Sequence, residues 1–278
     1  MRIFAINAGN FKLDGGTMFG VVPKSIWNKL NPADSNNLCT WATRCLLIEN
    51  GKQLVLIDTG LGDKQDESFF KHYYRDVHQH WNLLLKPLGF QSSDITDVVL
   101  THLHFDHVGG ALQRFDNKIM PTFPNAIYWS NQQHWQCAVN PNPREKASFL
   151  KENLAPLQSS GQLRFIENLK SPFTWMDFIF VDGHTEQQML PLITIGKEKL
   201  LYAADLLPSA GHIPLPYIMS YDVRPLQSMV EKQNVLERAL NEGWRIALEH
   251  DLNIECIDLK LTEKGIRLNN AFKIEEFN

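Results

Sequence analysis

The sequence predicts an α/β domain made of two similar halves, sheet against sheet with helices outside, and three observations predict it. Short β-branched, apolar runs and amphipathic helical stretches follow one another as strands then helices, twice over. No Pro- or Ser-rich linker separates the halves, so residues 1–278 are expected to form one domain. Several of the apolar runs end directly in histidines or carboxylates, which places chemistry at strand ends.

In order, residues 2–6 and 17–22 read as opening strands separated by Gly9, Gly15 and Gly16, with Pro23 closing the second. Ser25 to Leu30 reads as a helical turn capped by Ser25 and closed before Pro32. Trp41–Ile48 and Gln53–Ile57 are β-rich runs joined by Glu49-Asn50-Gly51-Lys52, a hairpin signal. The second run leads into Asp58-Thr59-Gly60. Asp58 is read either as the partner of a ligand histidine's outer ring nitrogen or as the cap of that turn. Asp66 to Lys86 carries aromatic and aliphatic residues on three-to-four spacing and predicts a helix; its His72, His78 and His80 have no carboxylate constellation of their own. Ala126–Trp129 predicts a strand, and Asn131–Val139 and Arg144–Ala155 predict helices linked through Pro141 and Pro143. This 130–160 insertion is read as a lid or a dimer surface. The second half predicts strands at Leu163–Ile166, Phe178–Val181, Met189–Ile195 and Leu200–Ala203, with a turn at Gly196-Lys197. A helix from Pro225 to a Gly243 C-cap and a strand at Arg245–Leu248 follow.

Composition bounds the function. With 27 basic and 31 acidic side chains the formal charge is −4, and no Lys/Arg cluster runs along the chain, which disfavours nucleic acid. The four cysteines, Cys39, Cys45, Cys137 and Cys256, form no CxxC pair and are read as reduced packing residues. No stretch reaches about 18 uninterrupted apolar residues, and the N-terminus lacks a long apolar leader core, so a cytoplasmic protein away from membranes is expected.

The stretch around which the chain is organised is Thr101-His102-Leu103-His104-Phe105-Asp106-His107-Val108-Gly109-Gly110. It follows the strand predicted at Asp97–Leu100. In extended chain His102 and His104 project to one side and can reach one ion. Where the chain turns helical, Asp106 and His107 swing to a neighbouring position, and the two glycines admit close backbone packing. Imidazole and carboxylate donors suit zinc, with cobalt, iron, nickel or manganese also accommodated. Three later sites repeat the pattern of a donor just past an apolar run: Asp182-Gly183-His184, Ala204-Asp205 and Glu249-His250.

The order His102-x-His104-x-Asp106-His107, His184, Asp205, His250, with Asp58-Thr59-Gly60 upstream, resembles the metallo-β-lactamase superfamily over nearly the whole chain. The resemblance implies a four-layer αβ/βα sandwich of two mixed sheets with helices outside, and two divalent metal ions, zinc first. By it, His102, His104 and His184 bind one ion and Asp106, His107 and His250 the other, with Asp205 and a hydroxide bridging both. Asp106 would also shuttle a proton to the leaving group. The stretch Leu13 to Gly20 and the chain length resemble the branch holding N-acyl homoserine lactonases and organophosphate hydrolases. Lactonases of that branch often carry a tyrosine three residues after the bridging aspartate, where this chain has Pro208; Tyr217 or Tyr221 either supplies the phenol or packs. Met18, Phe19, Phe105 and Ile218 are read as an apolar pocket wall or as core.

The expected function is therefore hydrolysis of a small lactone or ester, N-acyl homoserine lactones first, with phosphotriesters as the alternative. A thiolester hydrolase of the glyoxalase II type would need a helical C-terminal region, and residues 251–278 look strand-like. The intact ligand set argues against a metal-free binding module.

Overall fold

Two six-stranded sheets carry the chain. The structure, a computed structural model, describes residues 1–76, 80–166 and 170–278. In chain order the first part holds β1 (Arg2–Asp14), α1 (Gly15–Phe19), α2 (Lys24–Trp27), β2 (Leu38–Asn50), β3 (Gln53–Ile57), α3 (Glu67–Phe70) and α4 (Trp81–Leu85). There follow β4 (Asp97–Val99), α5 (Phe105–Val108), the hairpin β5 (Leu112–Phe115) and β6 (Lys118–Pro121), β7 (Ile127–Ser130), α6 (Gln132–Val139), α7 (Lys151–Ser159) and β8 (Leu163–Phe165). The remainder is β9 (Met176–Val181), β10 (Gln188–Ile195), β11 (Glu198–Tyr202), α8 (Pro225–Glu242), β12 (Arg245–Ala247), β13 (Cys256–Thr262) and β14 (Gly265–Phe272).

One sheet has the order β1-β2-β3-β4-β7-β8 and the other β14-β13-β12-β11-β10-β9. Both are mixed, as expected: β3, β4, β7 and β8 run parallel beside the antiparallel β2–β3 hairpin, and β11 and β12 form a parallel pair among antiparallel neighbours. The chain divides into two compact units. The first is Met1–Asn10, Thr43–Pro172 and Phe277–Asn278; the second is Phe11–Ala42 and Phe173–Glu276.

In the first unit, Leu47, Leu56, Val98, Leu100 and Tyr128 of the sheet pack with Trp81 and Leu85 of α4, Trp135 of α6 and Leu157 of α7. Each such side chain contributes about 1.5–3 kcal/mol by leaving water. In the second unit α8 turns Val235, Leu236 and Ala239 inward; Pro225 opens it and Gly243, at φ +68°, closes it. All four cysteines carry free thiols. Among the described residues no helix is long and apolar enough to cross a membrane.

Several elements differ from expectation. The strand expected at 17–22 is absent and residues 15–19 are helical, because the Asp14 carboxylate accepts the Thr17 N–H at 2.8 Å and caps the turn that Gly15 and Gly16 begin. Ser25 does not cap α2, which starts one residue earlier behind Pro23. The stretch 66–86 is broken into α3 and α4, with Tyr74 at φ +44° between them; Val77 and His78 lie outside the described residues, and His72 and His80 are exposed. Residues 144–150 are not helical, since the Ser148 carbonyl accepts the Phe105 N–H at 3.0 Å, and the helix begins only at Lys151. The β5–β6 hairpin went unread; its turn is Asp116-Asn117, both at positive φ.

Two loops of the first unit meet at the strand ends. The β3 and β4 strands run parallel with Ile57 opposite Val99, so the 58–62 and 100–110 segments emerge side by side. Their backbones nearly touch: a Cβ on Gly109 would lie 2.0 Å from the Leu61 carbonyl oxygen, and one on Gly110 2.1 Å from that of Thr59. Gly109→Ala must therefore push the loops apart. The expected cost is roughly 3 kcal/mol or more, read as a lower urea midpoint at unchanged slope; an unchanged midpoint would contradict the loop packing.

Candidate metal centre

Four of the seven expected donors lie in the first unit. Asp58, at the end of β3 with φ +55°, is fully buried and accepts the Thr101 N–H at 2.8 Å and the Thr101 hydroxyl at 2.6 Å. Its Oδ2 also faces His107 Nδ1 at 3.1 Å. A carboxylate can only accept here, so His107 holds its proton on Nδ1 and presents the Nε2 lone pair. The Thr101 hydroxyl, having donated to Asp58, accepts from His102 Nδ1 at 3.1 Å, which leaves the Nε2 lone pair of His102 for a ligand. One carboxylate thus engages two imidazoles, His107 directly and His102 through Thr101.

His102 Nε2 lies 3.1 Å from His104 Nδ1. Two ligands on one tetrahedral zinc at about 2.0–2.1 Å are separated by about 3.3 Å, so the two nitrogens stand as a ligand pair would. The outer nitrogen of His104, Nε2, faces the buried carboxylate of Glu145 at 3.6 Å. Leu103 between them donates its N–H to His134 Nε2 at 2.8 Å. Asp106, in the first turn of α5, comes within 3.7 Å of His107 Nε2.

The second unit holds the other three. His184 follows β9 and stands with Nδ1 2.9 Å from Asp222 Oδ1 and Nε2 3.0 Å from Asp205 Oδ2. His250 donates Nδ1–H to the Ala42 carbonyl at 2.7 Å, while its Nε2 lies 2.9 Å from Asp205 Oδ1. Each oxygen of Asp205 therefore faces a different imidazole. Burial opposes a charged imidazolium at His184, but Asp205 and Asp222 outweigh it and raise its pKa to about 10; a divalent cation would take the place of that proton beside the same carboxylates.

The 182–184 turn is braced by α8. Glu231 accepts the N–H groups of Asp182 and Gly183, both at 2.9 Å, and a Cβ on Gly183 would lie 2.3 Å from the Ser228 nitrogen. Pro208, where a phenol was looked for, supplies the carbonyl that accepts the His250 N–H at 3.1 Å. Tyr217 sets its ring edge against Phe19 at 6.4 Å, and Tyr221 is exposed. Phe19 packs between Trp27 and His212, at 5.7 and 4.3 Å, with Met18 buried beside it in the chain, so the ring faces of Phe19 are taken by core partners. Phe105 instead joins Phe69 and Tyr73 of the first unit, at 5.3 and 4.7 Å, in an aromatic cluster next to Asp106. Burial, then the charge of Asp106, raises the Tyr73 pKa and keeps its phenol protonated.

Reading the sequence missed Thr101, His134, Glu145 and Asp222. Thr101 stands in the motif without a role read for it, and the other three lie far from their partners in sequence: Asp222 is 38 residues from His184. The one usable signal was generic, that a ligand imidazole needs an acceptor on its other nitrogen.

Comparison with known proteins gives the family. Residues 40–250 match the model of the metallo-β-lactamase superfamily. A Mycobacterium tuberculosis protein named "Probable metallo-hydrolase" is 37% identical over 236 residues, 74% of this chain and 73% of its own. A Bacillus thuringiensis N-acyl homoserine lactonase is 27% identical over 256 residues, covering 84% of this chain and 89% of its own. The crystal structure of a probable metal-dependent hydrolase from Staphylococcus aureus superposes with a TM-score of 0.89 at 27% identity, covering 98% of this chain and 96% of the other. The chain belongs to the metallo-β-lactamase superfamily and is a hydrolytic enzyme.

Proposed function

We propose that the two sets of donors work together in one hydrolase domain as a dinuclear metal centre that opens a small lactone or ester, N-acyl homoserine lactones first. His102, His104, His184 and Asp205 would hold one ion, and Asp106, His107 and His250 the other, with Asp205 also turned to His250. The observation that carries the assignment is Asp205, whose two oxygens address two different imidazoles, each of which has its other nitrogen committed to a protein acceptor. Seven oxygen and imidazole donors exceed what one zinc takes and suit two.

Divalent ions bound there would lower the pKa of a coordinated water toward neutrality and polarise a substrate carbonyl. The chain's own residues do the rest. Asp58 and Asp222 hold the imidazoles of His107 and His184 in the ligating tautomer, and Asp106, beside Phe105 in the chain, takes a proton from the attacking water and returns it to the leaving alkoxide. Phe69, Tyr73 and Phe105 offer an apolar wall for an acyl chain, with the protonated Tyr73 phenol available as a donor. The lactonase among the relatives supports the lactone reading. Pro208 at the position of the branch's usual tyrosine favours the second reading, phosphotriesters and other esters.

Two outcomes are expected. His104→Ala loses at least one ion by elemental analysis, and activity falls by about a hundredfold or more; full metal content with full turnover would remove the assignment. Mixing the zinc-loaded protein with N-acyl homoserine lactones and a pH indicator gives His104-dependent acidification, because ring opening creates a carboxylic acid. Phe105→Ala then raises KM for a decanoyl chain about tenfold more than for a butanoyl chain, since about 1.4 kcal/mol of apolar contact is lost. Two bound metals without acidification would transfer the reading to phosphotriesters.

A further inference from the structure

We propose that residues 131–149 form a clamp on the ligand loop, in which Glu145 is the positioning carboxylate for His104. The inference rests on the reading of His104 as a metal ligand and assigns the segment between β7 and α7 a role of its own.

Three anchors tie this segment to three successive residues of the ligand loop. Asn131 caps α6 by accepting the His134 N–H at 2.8 Å, and the buried His134 ring accepts the Leu103 N–H at 2.8 Å. Ser148 offers its carbonyl to the Phe105 N–H at 3.0 Å. Between these, Glu145 faces His104 Nε2 at 3.6 Å, and the Phe149 ring covers the His104 ring at 4.8 Å. The backbone on both sides of His104 is thus fixed by the segment, and Glu145 and Phe149 flank its ring.

Glu145 is itself built in. It is buried, and its Oε1 accepts from Asn142 Nδ2 at 2.6 Å and from the Cys137 thiol at 3.6 Å. Asn142 also accepts the Arg144 and Glu145 N–H groups through Oδ1, at 2.9 and 3.2 Å, which forms the turn that carries the glutamate. With Oε1 so engaged, Oε2 is the oxygen turned to His104.

The direction of the ring makes this contact consequential. His102 directs Nε2 inward, whereas His104 meets it with Nδ1, so the proton of His104 belongs on Nε2, on the Glu145 side. A carboxylate there fixes the tautomer and raises the basicity of Nδ1. The contact lies just beyond hydrogen-bonding length, so a small turn of the ring closes it. A glutamine cannot serve: its amide has one acceptor oxygen, and both Asn142 Nδ2 and His104 Nε2–H require one.

The test compares wild type, Glu145→Gln, Asn142→Ala and His104→Ala. Zinc affinity is read by chelator competition, ligand geometry from the absorption bands of the cobalt-loaded protein, and folding from the melting temperature after metal stripping. Glu145→Gln is expected to weaken one of the two ions by about 10–100-fold and to shift the cobalt bands, with the stripped protein melting like wild type. Asn142→Ala moves both readouts in the same direction by less. In zinc-loaded wild type with ¹⁵N-labelled histidine, the His104 proton is expected on Nε2. A proton on Nδ1, or wild-type affinity and bands in both Glu145→Gln and Asn142→Ala, overturns the clamp while leaving the centre in place. If His104→Ala itself binds both ions like wild type, the metal-centre reading falls and the clamp falls with it.

Discussion

The first unit's contribution to the site depends on the hydrogen bonds of one carboxylate. Asp58 is fully buried at a strand end, and burying a carboxylate costs several kcal/mol unless its oxygens are bonded. Here it gathers the Thr101 N–H, the Thr101 hydroxyl and His107 Nδ1, and through Thr101 it reaches His102. Those bonds require the 100–107 segment to lie directly against the 58–62 turn. That proximity in turn excludes side chains at residues 109 and 110, where a Cβ would collide with the Leu61 and Thr59 carbonyls. The carboxylate, the positive φ of Asp58 and the paired glycines are one constraint seen at three places.

The second unit solves the same problem with a helix. The 18-residue helix α8 lays its Glu231 carboxylate under the Asp182 and Gly183 N–H groups, and the loop before it brings Asp222 to His184. One residue further, the Lys232 ammonium enters the interior and donates to the carbonyls of His212, Pro214 and Tyr217. Burial pushes its pKa down to about 7 against the opposing charge of Asp222, while the three carbonyls take its N–H groups. The helix therefore holds both flanks of the segment that carries Asp205 and Tyr217. Strand ends supply the expected donors, while most of the acceptors that face them come from elsewhere in the unit.

That division explains what could be read in the sequence. The ligand loop after β4, the Gly51 hairpin, the strands of the second half and α8 with its Pro225 and Gly243 caps were legible, since each is specified by neighbours within a few residues. The elements misread were those in which a distant partner overrides local preference. Periodicity over 66–86 and 144–155 is helical, but the first is interrupted at Tyr74 and the second is diverted by the bond from Phe105 to the Ser148 carbonyl. Asp14 reverses the opposite error, converting a glycine pair into a helix start. Glu145 fell in a stretch read as helix and Asp222 in a loop, and nothing within either stretch marks them as facing imidazoles.

The spacing His102-x-His104 carries one further physical requirement. In extended chain these residues share a side but start about 6.6 Å apart, given a rise of about 3.3 Å per residue. Two equivalent imidazole nitrogens at that separation would approach an ion in parallel rather than converge on it. Convergence at 3.1 Å is reached here with unlike nitrogens, the far Nε2 of His102 and the near Nδ1 of His104. The acceptors must then differ as well: His102 needs one beside its backbone, which Thr101 provides, and His104 needs one beyond its ring tip. No residue within the loop can reach around to that tip. A ligand pair of this spacing therefore calls for a second segment outside the loop, and the stretch that returns over His104 with Phe149 and Glu145 occupies that position.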